Sequence, residues 1–316
     1  MGYRLKPKKY YICNIFVFFL FAISANINAS IDLYGKIGFD SKHISNTTNT
    51  EKFDLENNAS KIGIKGDLLS FKESSIKLIY QIEYEFDVVD GKARGEEGTF
   101  KQRNTFLGLK TELGTVFAGT HDTAFKKSQL KVDLFNDLAP DIKNILHGEN
   151  RLKDFVGYTS PKFLDSVSLT LNKIKSQKGN EPDYESYSVH YAGDLFDAAF
   201  SFDKMMKGYD SSRASFLIPL SKSKLGIIFQ ESKKLSTDLK KKGRVYSYSR
   251  KINPKGEIKL QYASSSMKIE AGKHSTIGYD HKIDKSFKLF TFLSRIDSPN
   301  KEKNKNIFSI GLEYKF

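Results

Sequence analysis

The side chains that could do chemistry here are charges on alternate positions rather than a nucleophile with its base. Six histidines (His43, His121, His147, His190, His274 and His281) are scattered, without a metal-ligand spacing such as His-Glu-x-x-His. No Gly-x-Ser-x-Gly frames a serine nucleophile. The single cysteine, Cys13, lies close to the N-terminus, among the residues that read as an export leader. The exported part is therefore expected to have neither disulfide nor thiol chemistry. What remains is fixed charge, 51 Lys and Arg against 37 Asp and Glu, net +14. Between Ile76 and Asp87 the apolar Ile76, Leu78, Tyr80, Ile82, Tyr84 and Phe86 alternate with Lys77, Gln81, Glu83, Glu85 and Asp87. Charges fixed along one face of an extended segment can orient dipolar solutes, order water and select ions, with no proton transfer or covalent step.

The elements that must hold those charges follow from the patterning. Residues 1–29 read as a cleaved export leader. Arg4, Lys6, Lys8 and Lys9 precede the apolar run Tyr10 to Ile23, and Ala29 ends a small, polar stretch. The leader carries four basic and no acidic residues, so residues 30–316 are expected to form one domain of net charge +10. No later segment has the roughly 18 apolar residues of a spanning helix. The charge is spread along the chain without a nucleic-acid motif, which argues against nucleic acid as a partner.

Period-2 alternation runs down the whole chain. In the first segment Ile31, Leu33, Ile37 and Phe39 share one face, and Asp32, Tyr34, Lys36 and Asp40 the other. A closed barrel in lipid needs this pattern, with one face on lipid and the other on water. Strands are expected near 31–40, 60–68, 75–87, 102–111, 114–120, 153–160, 166–174, 184–193, 195–203, 211–219, 223–231, 244–252, 256–264, 267–283, 286–296 and 306–316. The fold class is thus an all-β, 16-stranded antiparallel transmembrane β-barrel. The even number puts both ends on the periplasmic side. Short links at 112–114, 161–165, 253–256 and 283–286 suit periplasmic turns; 41–59, 88–101, 121–152, 232–243 and 297–305 suit external loops. No tryptophan is present, so the 16 Tyr and 25 Phe must build the interfacial girdles. The lysines between Lys233 and Gly243 suit a solvated loop or a contact with lipopolysaccharide.

Several stretches resemble the Gram-negative general diffusion porins of the enterobacterial and neisserial branches. They are Leu33-Tyr34-Gly35-Lys36, Ser60 to Gly66, Tyr80 to Phe86, Arg103 to Leu109, Tyr158 to Phe163 and Gly278-Tyr279-Asp280 with Asp284-Lys285-Ser286. The last of these lacks the family's arginine and threonine. Between about 175 and 255 the likeness rests on strand pattern alone. The resemblance implies a third loop folded into the barrel, its carboxylates facing basic side chains on the opposite wall. The matching basic positions are Lys36, Lys61, Lys101, Arg103 and Arg151. Asp137-Leu138-Ala139-Pro140-Asp141 is similar to the loop tip and makes Asp137 and Asp141 the acidic candidates, with Asp133 and Glu149 behind them. The resemblance further implies a homotrimer in the outer membrane, passage of small hydrophilic solutes, no cofactor, and recognition of terminal Phe316 by the barrel-assembly machinery.

Three other readings compete with an unselective channel. A channel for phosphate, nucleosides or sugars would use the same basic ring or a tyrosine track. A barrel enzyme would need a nucleophile and base that the residues do not offer. A plugged barrel would serve adhesion or structure. Five matched positive charges against two negative lean towards anions, unless Glu83, Glu85, Asp87 and Asp90 line the mouth.

Overall fold

A computed structural model describes residues 30–46, 51–70, 76–92, 98–176, 182–268 and 272–316. The leader expected over 1–29 lies outside the described residues. The strand segments are β1 (Asp32–Asn46), β2 (Glu51–Asn57), β3 (Lys61–Ser70), β4 (Lys77–Phe86), β5 (Phe100–Gln102), β6 (Thr105–Thr111), β7 (Gly114–Asp122), β8 (Arg151–Thr159), β9 (Val167–Ile174), β10 (Tyr184–Ala192), β11 (Asp197–Met206), β12 (Tyr209–Leu220), β13 (Ser223–Lys234), β14 (Lys240–Lys251), β15 (Gly256–Ser265), β16 (Lys273–Lys282), β17 (Phe287–Asp297) and β18 (Lys305–Lys315). Each pairs antiparallel with its neighbour, and β1 pairs with β18 from Lys36↔Lys315 to Asn46↔Lys305. The sheet is therefore closed, which leaves no unpaired edge in lipid.

β2 and β3 both pair with β1, and β5 and β6 both pair with β4. Each couple is one stave, so the barrel has sixteen, as the alternation predicts. Both interruptions are bulges in which three residues face two. Asn58, Ala59 and Ser60 face Ile37 and Gly38, with Ala59 at φ 53. There the Ser60 hydroxyl accepts from Gly38 N at 3.0 Å and donates to Gly38 O at 3.2 Å. Arg103, Asn104 and Thr105 face Ile82 and Glu83 in the second. This break turns the Arg103 side chain towards Glu83 and Glu85.

Outside, Leu33, Leu107, Val116, Phe202, Leu293 and Ile310 are exposed, as a lipid-facing band requires. Inside, Ser186, Ser201, Ser215, Ser232, Ser247 and Ser309 are buried.

Three expected boundaries differ. The link 41–59 is largely a hairpin, because β1 continues to Asn46 and β2 runs back from Glu51. Among residues 41–57 only Ile44, Phe53 and Leu55 are apolar, so alternation is faint where the hairpin stands clear of lipid. The link 232–243 shrinks in the same way to 235–239. The single strand expected over 267–283 begins only at Lys273, and Met267 packs inside the barrel while Ile277 faces out. Met267 and Ile277 share an even spacing but not a face, because Met267 lies before the strand begins.

The connection between β7 and β8, here loop 3, folds into the lumen with a short helix α1 (Ala124–Lys127) and a 3-10 turn (Ile142–Asn144). Val132, Phe135, Ile142, Ile145 and Leu146 pack on Ile228, Val245, Ala263, Phe290, Phe292, Ile296 and Ile307 of the far wall. Each such side chain contributes about 1.5–3 kcal/mol when fully removed from water. Two glycines make the seat possible. A Cβ on Gly243 would stand 2.3 Å from Leu146 Cδ2, and one on Gly278 2.7 Å from Phe135 Cε1.

Candidate functional site

Polar wall residues fix the main chain of loop 3. At its start Asn172 Oδ1 accepts from Ala124 N at 2.6 Å and Ser186 Oγ from Phe125 N at 3.0 Å. Arg213, buried on β12, ties the loop's two ends together. It donates to Phe125 O at 3.2 Å and His147 O at 3.3 Å, pairs with Glu149 at 2.8 Å, and lies over the Phe125 ring. Gln230 accepts from Arg213 Nε at 2.9 Å and donates to His147 O at 2.9 Å. Gln261 accepts from Leu134 N at 2.8 Å and donates to Asp133 Oδ1 at 3.1 Å. These bonds satisfy main-chain groups of Ala124, Phe125, Leu134 and His147, which makes this one arrangement much preferred to a loop that swings.

The tip then reaches the opposite wall. Asp137, at φ 68, places Oδ2 3.2 Å from Lys36 Nζ. Burial pushes its carboxyl up, but Lys36, Arg103 and Lys143 outweigh that and hold it at about 2. Asp141 instead turns into the loop. Its Oδ2 accepts from Asp137 N at 2.8 Å and its Oδ1 from Lys143 N at 2.7 Å, capping the 3-10 turn. Asp133 lies deeper still, accepting from Phe135 N and Ile142 N, and burial beside Asp141 raises its carboxyl well above the usual range.

The basic residues divide as well. Lys36 faces Lys61, Lys61 faces Glu85, and Glu85 faces Lys101 across successive staves, so these four form one row on the wall. Lys101 is half-buried there. Arg103 sits beside the row, 2.7 Å from Glu83 and 2.5 Å from Glu85, and Lys61 is 2.8 Å from Glu83. Arg151 stands apart at the neck of loop 3. There its guanidinium is 3.1 Å from Asp122 and donates to Asn104 at 2.8 Å, while Lys126 is 2.9 Å from the same Asp122. Of the seven candidates, the structure brings Lys36, Lys61, Lys101, Arg103 and Asp137 together and leaves Arg151 and Asp141 in the loop's own supports.

The row continues where sequence reasoning did not look. Lys259 is 2.6 Å from Asp280, Lys288 is 3.2 Å from Asp280 and 3.3 Å from Glu313, and Lys315 is 2.8 Å from Glu313. A belt of alternating charge therefore runs from β15 through β18 to β1 and on to β5. Alternation alone would have placed Asp280, Lys288 and Glu313 on the inner face. No signal marked Arg213, Gln230, Gly243 or Gly278 as the loop's holders.

Comparisons with known proteins bear on the barrel as a whole. The anion-selective porin from Comamonas acidovorans superposes with a TM-score of 0.76 at 18% identity, covering 91% of this chain and 100% of that one. Salmonella typhi OmpF, solved in complex with daunomycin, gives 0.72 at 16% identity over 90% and 97%. The trimer form of OmpT, an outer membrane protein of Vibrio cholerae, gives 0.66 at 11% identity over 91% and 99%. No curated protein matches the chain. The family model for Gram-negative porins matches residues 15–315, nearly the whole length, and the chain belongs to that family.

Proposed function

We propose that the barrel carries ions and small hydrophilic solutes passively across the outer membrane, through a passage narrowed where Asp137 meets the row of Lys36, Lys61, Lys101 and Arg103. The observation that carries this reading is the Lys36–Asp137 pair at 3.2 Å, made by a loop fastened to the other wall. Opposed charges at that narrowing favour solutes that can align a dipole and penalise bulky apolar ones. Nothing in the passage has to transfer a proton or form a bond, so the protein acts as a channel and not as an enzyme.

Arg151 and Asp141 serve this reading by fixing the loop, with Arg151 closing its neck and Asp141 shaping its tip. Ion preference is weak. Glu83 and Glu85 sit within the basic row and offset much of its charge, so the lean towards anions that five basic residues imply is largely cancelled. The protein assembles as a homotrimer after removal of residues 1–29. Its outer rim, including Lys240, Lys241 and Lys242, meets lipopolysaccharide. Phe316 closes the last stave against Gly35, with Gly35 N donating to Phe316 O at 2.9 Å, and presents the terminal aromatic to the assembly machinery.

Planar-bilayer recording of purified protein tests pore and trimer together. Stepwise insertion events that close in thirds are expected. Insertion without steps would reject the pore, and single closures alone would reject the trimer.

A further inference from the structure

A second cavity lies away from the constriction. It holds about 420 Å³, between the returning limb of loop 3 and the hairpin of β11 and β12. Lys143, Lys207 and Lys268 line it, with Asp203, Glu149 and His147 among its other polar groups. The three lysines come from three separate segments. Lys207 and Gly208 form the tip of the hairpin, both at positive φ (51° and 85°), as a tight two-residue turn demands. Lys268 follows β15 and donates to Lys143 O, which draws it to the loop. Burial lowers the Lys268 ammonium's pKa, and Lys207 and Lys143 add to that effect.

The acids are not equivalent. Glu149 is held by Arg213 at 2.8 Å. Asp203 is 3% exposed, and although Ser186 stands opposite it in the register, neither carboxylate oxygen receives a well-formed hydrogen bond. A carboxyl buried without well-formed donors calls for either a proton or a cationic partner. Lys207 has no carboxylate within ion-pair distance among the described residues, so a cationic tip and an unanswered carboxylate share one cavity. The His147 and Tyr209 rings, 4.2 Å apart, line it too.

We propose that this cavity is a vestibular binding site for a small zwitterion of amino-acid or dipeptide size, its ammonium on Asp203 and its carboxylate on Lys207 and Lys268. A simple anion would leave Asp203 unanswered beside a like charge, and a simple cation would meet three lysines. One molecule carrying both charges satisfies both ends. The inference rests on the channel reading, since the site lies on the external side of the constriction, where a solute would pause before it passes.

The test is current block in planar bilayers, with glycylglycine, acetate and methylamine each added on the external side. Glycylglycine should interrupt the current saturably, while acetate and methylamine at equal concentration should not. The Asp203→Asn variant and the Lys207→Gln/Lys268→Gln double variant should each raise the half-blocking concentration about tenfold, which is about 1.4 kcal/mol. Their open-channel conductance should stay close to that of the unaltered protein, which also shows that they fold. Block by acetate alone, absence of saturation, or an unchanged half-blocking concentration in both variants would overturn the site and leave the channel standing. Absence of any conductance would overturn both.

Discussion

Arg213 lies with its guanidinium carbon 4.4 Å from the centre of the Phe125 ring, and the same guanidinium holds Glu149 at 2.8 Å. One side chain on the wall thus clasps the outgoing and the returning ends of loop 3, which are more than twenty residues apart in the chain.

Arg213→Ala should therefore loosen loop 3 without opening the barrel. Removing one partner of a buried pair leaves Glu149 unpaired, at a cost of about 3–5 kcal/mol. Larger and noisier single-channel current is expected, with faster entry of large sugars in liposome swelling. Conductance and size limit equal to those of the unaltered protein would show that the loop does not depend on Arg213.

Gly278→Val should act in the opposite direction. The added Cβ and its methyl groups would enter the space of the Phe135 ring, an overpacking cost of about 1–3 kcal/mol. Loop 3 would be pushed off its seat towards the basic row. Conductance should fall, and the temperature of loss of heat-modifiable gel migration should drop slightly. A rise in conductance would contradict the proposed direction of displacement.

Asp137→Asn should shift the reversal potential towards anions, because Lys36 loses its counter-charge. This mostly buried pair beside the water-filled passage is worth about 1 kcal/mol, which corresponds to a roughly fivefold change in permeability ratio. Asp141→Asn should change that ratio much less, since Asp141 answers backbone amides and Lys143 at the tip. Equal shifts in the two variants would place both carboxylates in the passage.

The pH dependence follows from the same pair. Lys36, Arg103 and Lys143 lower the Asp137 carboxyl to about 2, below its unfolded value of 3.8. A depressed carboxyl contributes stability that is present above the unfolded value and lost as pH falls through the folded one. The tip contact should hold from neutrality to about pH 4 and weaken only towards pH 2. The difference in reversal potential between the unaltered protein and Asp137→Asn measures this directly. A difference that disappears with a midpoint near pH 5 would contradict the pairing.

The barrel was almost wholly legible in the sequence, because lipid on one side and water on the other impose a period of two on every stave. Lys36 and Lys61 were legible for the same reason, as charges on the wet face; Arg103 followed only from the resemblance, because it shares the parity of the lipid-facing Leu107 and only the bulge turns it inward. The hairpin Ser41 to Asn57 was not, since above the bilayer neither face needs to be apolar. The holders of loop 3 escaped notice for a different reason. Gly243, Gly278 and the buried serines look like ordinary small lumen residues, and their meaning depends on Leu146 and Phe135, about a hundred residues or more away. Arg213 carried no local sign, because its partners Phe125, His147 and Glu149 lie in a loop whose path no periodicity describes.

The oily seat of loop 3 has a consequence for the order of biogenesis. Phe135, Ile142, Ile145 and Leu146 leave the ribosome well before β13 to β18, which supply most of the wall side chains on which they rest. Until the C-terminal half has curled round, those side chains have nowhere to go, and contacts over so long a stretch of chain form slowly. The loop that narrows the finished pore is thus a sticky, unsheltered segment during transit, and a binding surface for whatever keeps the unfolded chain from clumping before the last stave meets the first.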